Sequence, residues 1–241
     1  MDRKADSYPV LADVKGVFFD CWGTLLHEKE DRRVYLKQIY DHCLNKGEVD
    51  WDKAYKEASE FWDNYQKVSH YDVRIDAMVS LFCLMYNVKL DSPIEVVSSK
   101  IIDDIAGEPI DGVIDFLHEL NRRNIQHGVI SNTVFDGRET EKIIQDKLKD
   151  NGFSSFFFSN DYALRKPYPT IFLAALKKAG RHKEDCLFIG DSFIDDIVGS
   201  YRFGFKKSVF LSYRSSQREL SEKKEYADVN YVSVFRYQDL I

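Results

Sequence analysis

The sequence predicts an α/β fold, a doubly wound parallel sheet with a smaller helical-bundle cap domain inserted into it. Short apolar segments alternate with longer segments of helical periodicity along most of the chain. The first apolar segment ends in the single carboxylate of Asp20, and Gly23 and Thr24 follow it. Residues 28–107 break the alternation, because they carry helical periodicity with no strand pattern among them. Alternating strands and helices favour a sheet that helices cover on both faces.

Six segments have the short apolar character of buried strands. They are residues 14–20, 126–131, 155–159, 186–190, 207–211 and 230–234. Because helical segments separate most of them, we expect parallel pairing, with the connecting helices packed on the sheet. Sheets of this kind bind ligands beyond the carboxyl ends of their strands.

Four segments with helical periodicity lie between these strands. They are residues 111–123, 138–151, 169–180 and 195–203. Gly180 and Gly204 have the position of helix-ending glycines. The polar and charged residues 215–224 are expected to form a surface turn or helix.

The inserted region predicts four further helices, at residues 32–45, 51–68, 73–86 and 93–105. We therefore expect a core domain of residues 1–27 and 108–241 and a cap domain of residues 28–107 over the active end of the sheet. Residues 26–29 and 106–109 would be the hinges. The many aromatic residues of the cap leave two oligomeric states open, a monomer or a homodimer.

Composition limits the classes of function. The chain has 241 residues and a net charge of −6, which argues against nucleic-acid binding because that needs a basic face. No apolar run reaches the roughly 20 residues of a membrane span, so no membrane partner is expected. Four scattered cysteines without a Cys-x-x-Cys pattern predict reduced thiols and a cytoplasmic location. These are Cys21, Cys43, Cys83 and Cys186.

Polar residues stand at the ends of the predicted strands. Asp20 ends the first strand, Ser131 and Asn132 end the second, and Lys166 lies in the loop after the third. The fourth ends in Gly190-Asp191. Each signal is weak alone, since such residues also cap helices and form turns. In a parallel sheet, however, all of these strand ends would meet at one edge.

These motifs resemble those of the haloacid dehalogenase superfamily of hydrolases. The family's Asp-x-Asp-Gly-Thr stands here as Asp20-Cys21-Trp22-Gly23-Thr24, and its strand-end Ser or Thr is matched by Ser131. Its Lys, commonly followed by Pro, is matched by Lys166-Pro167. Its Gly-Asp with a further Asp is matched by Gly190-Asp191 and either Asp195 or Asp196, of which the common spacing favours Asp196. The resemblance covers nearly the whole chain and includes a helical cap after the first motif.

The resemblance implies a role for each matched residue. Asp20 would attack phosphorus and form an aspartyl-phosphate, which water then hydrolyses. Mg²⁺ would be held by Asp20, Asp191 and the backbone carbonyl of Trp22. Lys166 would offset the negative charge, and Asp196 would orient Lys166 or a water.

The resemblance also places four residues around the substrate. Ser131 would bind the phosphoryl oxygens. Thr24, Asn132 and Trp22 would lie on the substrate side of the site. The substrate would be a small-molecule phosphomonoester.

Trp22 departs from the family pattern, because phosphatases of this type use an Asp there as general acid and base. An indole can act neither as a general acid nor as a general base. General acid–base catalysis typically raises the rate by about 10²- to 10⁴-fold. The leading hypothesis is a Mg²⁺-dependent phosphatase of a small metabolite, slowed by Trp22 or selective for leaving groups that need no proton. The alternatives are a 2-haloacid dehalogenase-like hydrolase, whose relatives carry an aromatic residue here, and a catalytically weak protein that binds a phosphorylated ligand.

Other enzyme classes lack support in the sequence. Gly190-Asp191-Ser192 resembles a serine esterase motif, but no His follows His182 to act as the base. Neither G-x-G-x-x-G nor G-x-x-x-x-G-K-[ST] occurs, so a dinucleotide or P-loop site is not expected.

Overall fold

A six-stranded parallel sheet forms the centre of the computed structural model, which describes residues 9–28, 33–69 and 71–240. Its strand order is β5-β4-β1-β6-β7-β8, and every neighbouring pair is parallel. The strands are β1 (Gly16–Phe19), β4 (Gln126–Ser131), β5 (Ser155–Phe158), β6 (Cys186–Gly190), β7 (Lys207–Leu211) and β8 (Val232–Val234). The predicted doubly wound α/β fold is confirmed, with ends that differ from the predicted ones by two residues or fewer.

Helices cover both faces of this sheet. They are α5 (Val113–Arg122), α6 (Gly137–Lys147), α7 (Ser159–Tyr162), α8 (Pro169–Ala179), α9 (Gly199–Phe203) and α10 (Ser215–Ser221). A π-helix, Phe193–Val198, precedes α9, so the single helix predicted over residues 195–203 is in fact two segments. Short 3₁₀ turns occupy Pro9–Leu11, Lys183–Asp185, Lys224–Tyr226 and Tyr237–Leu240.

The central strands β1, β4, β6 and β7 are almost entirely buried, as expected for a parallel sheet between helices, whereas the edge strand β8 is mostly exposed. Residues of β1 alternate between two cores. Val17 and Phe19 pack with Phe116 of α5 on one face, and Phe18 packs with Phe172 of α8 on the other. This alternation fixes the register of β1 and leaves Asp20 at its carboxyl end, between β4 and β6.

Four helices lie between the first and second predicted strands, as expected. They are α1 (Arg33–Asp41), α2 (Trp51–Val68), α3 (Ile75–Met85) and α4 (Ile94–Ile105), with a 3₁₀ turn at Lys46–Glu48. Their buried residues, such as Val79 and Ile101, form a core of their own to which Phe135 also belongs. Residues 29–32, where the predicted hinge meets the first of these helices, lie outside the described residues. The domain boundaries at 27/28 and 107/108 remain a prediction.

The predicted hinges contain an antiparallel pair of strands that the sequence analysis missed. β2 (Leu26–Glu28) pairs with β3 (Ala106–Pro109), with Leu26 opposite Pro109 and Glu28 opposite Ala106. The strands have 3 and 4 residues, which is too short for a recognisable alternation of apolar and polar residues. Their register also shifts between Leu26 and Glu28. A Cβ at Gly107 would meet the backbone of His27 at 2.7 Å, so the close pairing requires glycine.

No helix within the described ranges has the length and apolar character needed to cross a membrane.

We expect Phe19→Ala to lower the free energy of unfolding by about 3–5 kcal/mol, because it empties a site that Phe116 and Phe153 enclose. Denaturant unfolding would measure the change. Phe235→Ala is the matched control, since this exposed side chain should contribute less than about 1 kcal/mol. Equal effects of the two substitutions would contradict this account of the core.

Candidate active site

Asp20 lies at the carboxyl end of β1, where its backbone N–H donates to the carbonyl of Ile189 at 2.9 Å. Its side chain is nearly buried, and Oδ1 accepts two hydrogen bonds. Lys166 Nζ donates at 2.7 Å and Ser131 Oγ at 3.0 Å. Residues from three predicted strand ends or loops therefore meet at one carboxylate, as the sequence predicted.

Lys166 is buried between two carboxylates. Its Nζ lies 2.7 Å from Asp20 and 2.6 Å from Asp196. Burial alone would lower the pKa of Lys166, but the two carboxylates outweigh burial and raise it above its ordinary value. The two carboxylates therefore favour the charged form of this buried lysine.

Three carboxylates lie together beside this lysine. Ligand oxygens of Asp20, Asp191 and Asp196 all lie within 4.8 Å of one another. Burial, followed by the charge of Asp20, raises the pKa of Asp191 to about 7. Burial is also the main reason that the pKa of Asp196 is raised well above its ordinary value, although Lys166 opposes the shift. A cluster of buried carboxylates of this kind could bind a metal ion, whose positive charge would favour their ionised forms.

Two glycines let the carboxylates come this close to the backbone. Gly23 has φ +78°, and a Cβ there would lie 2.5 Å from the carboxylate of Asp191. A Cβ on Gly190 would lie 2.3 Å from the carboxylate of Asp196. Close approach therefore requires glycine at both positions, and the positive φ of Gly23 requires it there as well.

Asp191 has two partners, one of which the sequence analysis missed. Thr24 is fully buried and its hydroxyl donates to Asp191 Oδ1 at 3.3 Å. Arg214 Nη1 lies 3.1 Å from Asp191 Oδ2. Arg214 follows β7 and precedes a polar helix, so no local pattern distinguishes it from other surface arginines.

Asn132 fixes the backbone of Lys166. Its side-chain carbonyl accepts from the Lys166 N–H at 2.8 Å, and its amide donates to the Lys166 carbonyl at 3.1 Å. The same amide lies 3.2 Å from Asp195. Asn132 also lines the site cavity.

The two neighbouring aspartates of the π-helix face different cations. Asp196 contacts Lys166, whereas Asp195 contacts Arg165 at 3.3 Å. Both residues belong to the π-helix, whose wider turn directs successive side chains differently from an α-helix. Asp196 is therefore the one of the two aspartates that pairs with Lys166, and its place as the second acid of the fourth motif stays a prediction.

Asp72 is a second residue that the sequence analysis missed. It lies between α2 and α3, its carboxylate is 3.1 Å from Arg165, and it accepts from the hydroxyl of Ser159. Burial raises the pKa of Asp72, while Arg165 opposes the shift. This buried pair joins the helical segment to the edge of the sheet.

Trp22 forms an aromatic contact at the site rather than a polar one. Its ring packs edge-to-face on Phe135, with centroids 6.0 Å apart. Its indole nitrogen is buried and makes no hydrogen bond with any residue that the structure describes. The side chain borders a site cavity of about 250 Å³ that Asp20, Lys166 and Asp191 also line.

We expect Lys166→Met to lower the free energy of unfolding by about 3–5 kcal/mol, because it leaves Asp20 and Asp196 buried without their cation. Denaturant unfolding of the single variant and of Lys166→Met/Asp196→Asn would measure it, and the double variant should recover part of the loss. Lys142→Met, which breaks an exposed pair with Asp146, should cost less than about 1 kcal/mol. A single variant as stable as the wild type would contradict the assigned ion pairs.

Comparison with known proteins places this geometry in a family. The model of the haloacid dehalogenase-like hydrolases matches residues 14–200. A glyceraldehyde 3-phosphate phosphatase of Pyrococcus furiosus is 28% identical over 219 residues, which cover 89% of this chain and 88% of the relative. The pyrophosphatase PpaX of Oceanobacillus iheyensis is 25% identical over 195 residues, covering 77% of this chain and 78% of the relative.

Solved structures share the fold. A HAD phosphatase from Thermococcus onnurineus superposes with a TM-score of 0.68 at 20% identity, and the match covers 94% of this chain and 96% of the other. A 2-haloacid dehalogenase from Pseudomonas syringae pv. Tomato DC3000 gives a TM-score of 0.64 at 20% identity, with the same coverage. The chain belongs to the haloacid dehalogenase-like hydrolases, and it is a hydrolase.

Proposed function

We propose that the chain is a Mg²⁺-dependent phosphatase of a small phosphorylated metabolite, with Asp20 as the nucleophile. The observation that carries this proposal is the group of three carboxylates beside Lys166. An enzyme that displaced halide from a carboxylate substrate would gain nothing from the extra buried charge of Asp191, which would repel that substrate. The relatives named as phosphatases support the same assignment.

The donor set fits magnesium. Mg²⁺ prefers oxygen ligands and needs only one or two carboxylates beside substrate phosphate and waters. Asp20, Asp191 and the backbone carbonyl of Trp22 would hold the ion. When bound, it would supply positive charge to the phosphoryl oxygens.

The residues around Asp20 would prepare it for attack on phosphorus. Lys166 donates to Asp20 Oδ1 and would offset the charge of the incoming phosphoryl group. Ser131 donates to Oδ1 and so orients the carboxylate. In the transfer, an Asp20 oxygen bonds to phosphorus, the leaving oxygen keeps the bonding electrons, and water then hydrolyses the aspartyl-phosphate.

Asn132, Thr24 and Asp196 would act mainly by holding other groups. Asn132 fixes the Lys166 backbone, Asp196 holds its Nζ, and Thr24 donates to Asp191. Because the hydroxyl of Thr24 already donates to Asp191 and its side chain is fully buried, we assign it to support of the metal site rather than to substrate contact. The site cavity itself is bordered by Asn132 and Trp22.

Helices α1–α4 would form the cap domain of residues 28–107. They contribute Tyr35 to the border of the site cavity. All four cysteines are free, which supports action in the reducing cytoplasm. The oligomeric state, monomer or homodimer, would not alter the site, because one chain supplies every residue named for it.

Trp22 favours a second candidate function, that of a 2-haloacid dehalogenase-like hydrolase. Halide leaves without a proton, so an indole in place of the acid would cost such an enzyme nothing. A third possibility, a protein that binds a phosphorylated ligand without turnover, follows from the same residue. The carboxylate cluster and the phosphatase relatives favour the phosphatase over both.

Asp20→Asn should lower phosphate release by at least about 10³-fold, because it removes the nucleophile. Release would be measured on glyceraldehyde 3-phosphate, pyrophosphate and acetyl phosphate, with Mg²⁺ and with a chelator. Asp228→Asn, an exposed aspartate on the surface, is the control. Release that survives Asp20→Asn or the chelator would refute the mechanism, and halide release from 2-haloacids would support the dehalogenase.

Trp22→Asp should raise kcat/KM for alkyl phosphates by about 10²-fold or more, because it restores a group able to protonate the leaving oxygen. Trp22→Asn leaves the same void without an acid, so it is the matched control for lost packing against Phe135. The rates of the two variants on glyceraldehyde 3-phosphate would be compared. Equal rates would show that the absent acid is not what limits the enzyme.

A further inference from the structure

A second cavity adjoins the catalytic one and differs from it in character. Its volume is about 430 Å³, against about 250 Å³ for the site cavity. Helices α1, α2 and α3 enclose it with mostly aromatic and aliphatic side chains, including Leu36, Tyr55, Trp62, Met78 and Phe82. This size and lining are typical of small-molecule binding sites.

The two cavities share part of their lining. Glu28, Tyr35, Val134 and Arg214 line both of them. A molecule whose phosphoryl group lies at Asp20 would therefore reach the larger cavity beside residues such as Tyr35 and Val134. Its phosphoryl end would contact Lys166, and its other end would contact the mostly apolar side chains of the larger cavity.

An aromatic wall runs from the nucleophile to the larger cavity. Trp22 packs on Phe135, and Phe135 stacks on Tyr35 with centroids 6.2 Å apart and ring planes inclined by 11°. Offset and edge-to-face contacts of this kind also accommodate an aromatic ligand. Removing the apolar surface of such a ligand from water here would favour binding.

The absent acid at position 22 restricts the leaving group independently of the cavity. The pKa of a phenolic hydroxyl is about 10. The pKa of water, which serves here as the reference for an aliphatic hydroxyl, is about 15.7. A phenolate is therefore a far more stable leaving anion than an alkoxide, and it needs no proton as the bond to phosphorus breaks. An aromatic alcohol thus satisfies the chemistry of Trp22 and the shape of the cavity together.

We propose that the substrate is a small aryl phosphate, whose aromatic ring lies in the cavity between α1, α2 and α3. This inference rests on the proposed phosphatase function. Asp20 bonds to phosphorus, the bond from phosphorus to the ring oxygen breaks, and the phenolate keeps the electron pair. The phenolate later takes a proton from solvent, while water releases inorganic phosphate and restores Asp20.

The first test compares substrates on the wild-type enzyme with Mg²⁺. We expect kcat/KM for 1-naphthyl phosphate to exceed that for glyceraldehyde 3-phosphate by at least about 30-fold, from apolar burial and the better leaving group. Among substituted phenyl phosphates, kcat/KM should fall steeply as the phenol becomes less acidic. A preference for glyceraldehyde 3-phosphate, or no dependence on the phenol, would overturn the proposal.

The second test fills the cavity. Ala58 lies on α2 and lines the cavity, so Ala58→Phe should lower the ratio of kcat/KM for 1-naphthyl phosphate over acetyl phosphate by at least about tenfold. Glu60→Phe, an exposed position two residues further along α2, should keep the wild-type ratio. Leu36→Trp fills the cavity from α1 and serves if Ala58→Phe does not fold. An unchanged ratio in the folded variant would overturn the proposal.

Acetyl phosphate separates failure of the inference from failure of the proposed function, because it is small and its leaving group needs no proton. Release from acetyl phosphate that depends on Asp20, without a preference for aryl phosphates, would sink the inference and leave the phosphatase standing. No release from any phosphate would refute both.

Discussion

The ion pairs of Lys166 hold the site together. One buried ammonium lies within 2.7 Å of Asp20 and 2.6 Å of Asp196, and Asp191 has Arg214 at 3.1 Å. Two cations thus face three clustered carboxylates, and burial, followed by repulsion among the carboxylates, raises the pKa values of Asp191 and Asp196. Burying charge is tolerable only where other charges compensate it. The remaining excess of negative charge makes the arrangement costly for a structural core and suitable for a bound cation.

Much of the fold and of the charged site could be predicted because both follow from local patterns. Strands buried on two faces read as apolar runs, and Asp20 and Asp191 directly follow such runs. β1 lies between β4 and β6, so the carboxyl ends of these three strands, which are distant in sequence, lie side by side. Gly190 also has a local reason, since its Cβ would collide with the carboxylate of Asp196, whereas a Cβ at Gly23 would collide with that of Asp191, which is distant in sequence.

What sequence reasoning missed depends on distance in space. Arg214 reaches Asp191 only because β7 lies next to β6, and nothing near it in the sequence indicates this. Asp72 pairs with Arg165 across 93 residues. The β2–β3 pair is too short for a periodic pattern, and it forms because both ends of the helical segment return to the same place. The π-helix that separates the roles of Asp195 and Asp196 likewise has no sequence signature.

Trp22 connects the chemistry of the site to its selectivity. A carboxylic acid at position 22 would have provided a proton for the leaving group. Water in the site cavity would have hydrated that acid. The indole instead packs on Phe135, which belongs to the core of the helical segment, so the catalytic loop and that segment share one aromatic surface. The substitution therefore removes the acid and extends the apolar wall in a single step. In the proposed phosphatase, the lack of an acid would narrow the range of usable leaving groups and the apolar wall would favour those with rings, so both effects would select the same kind of molecule.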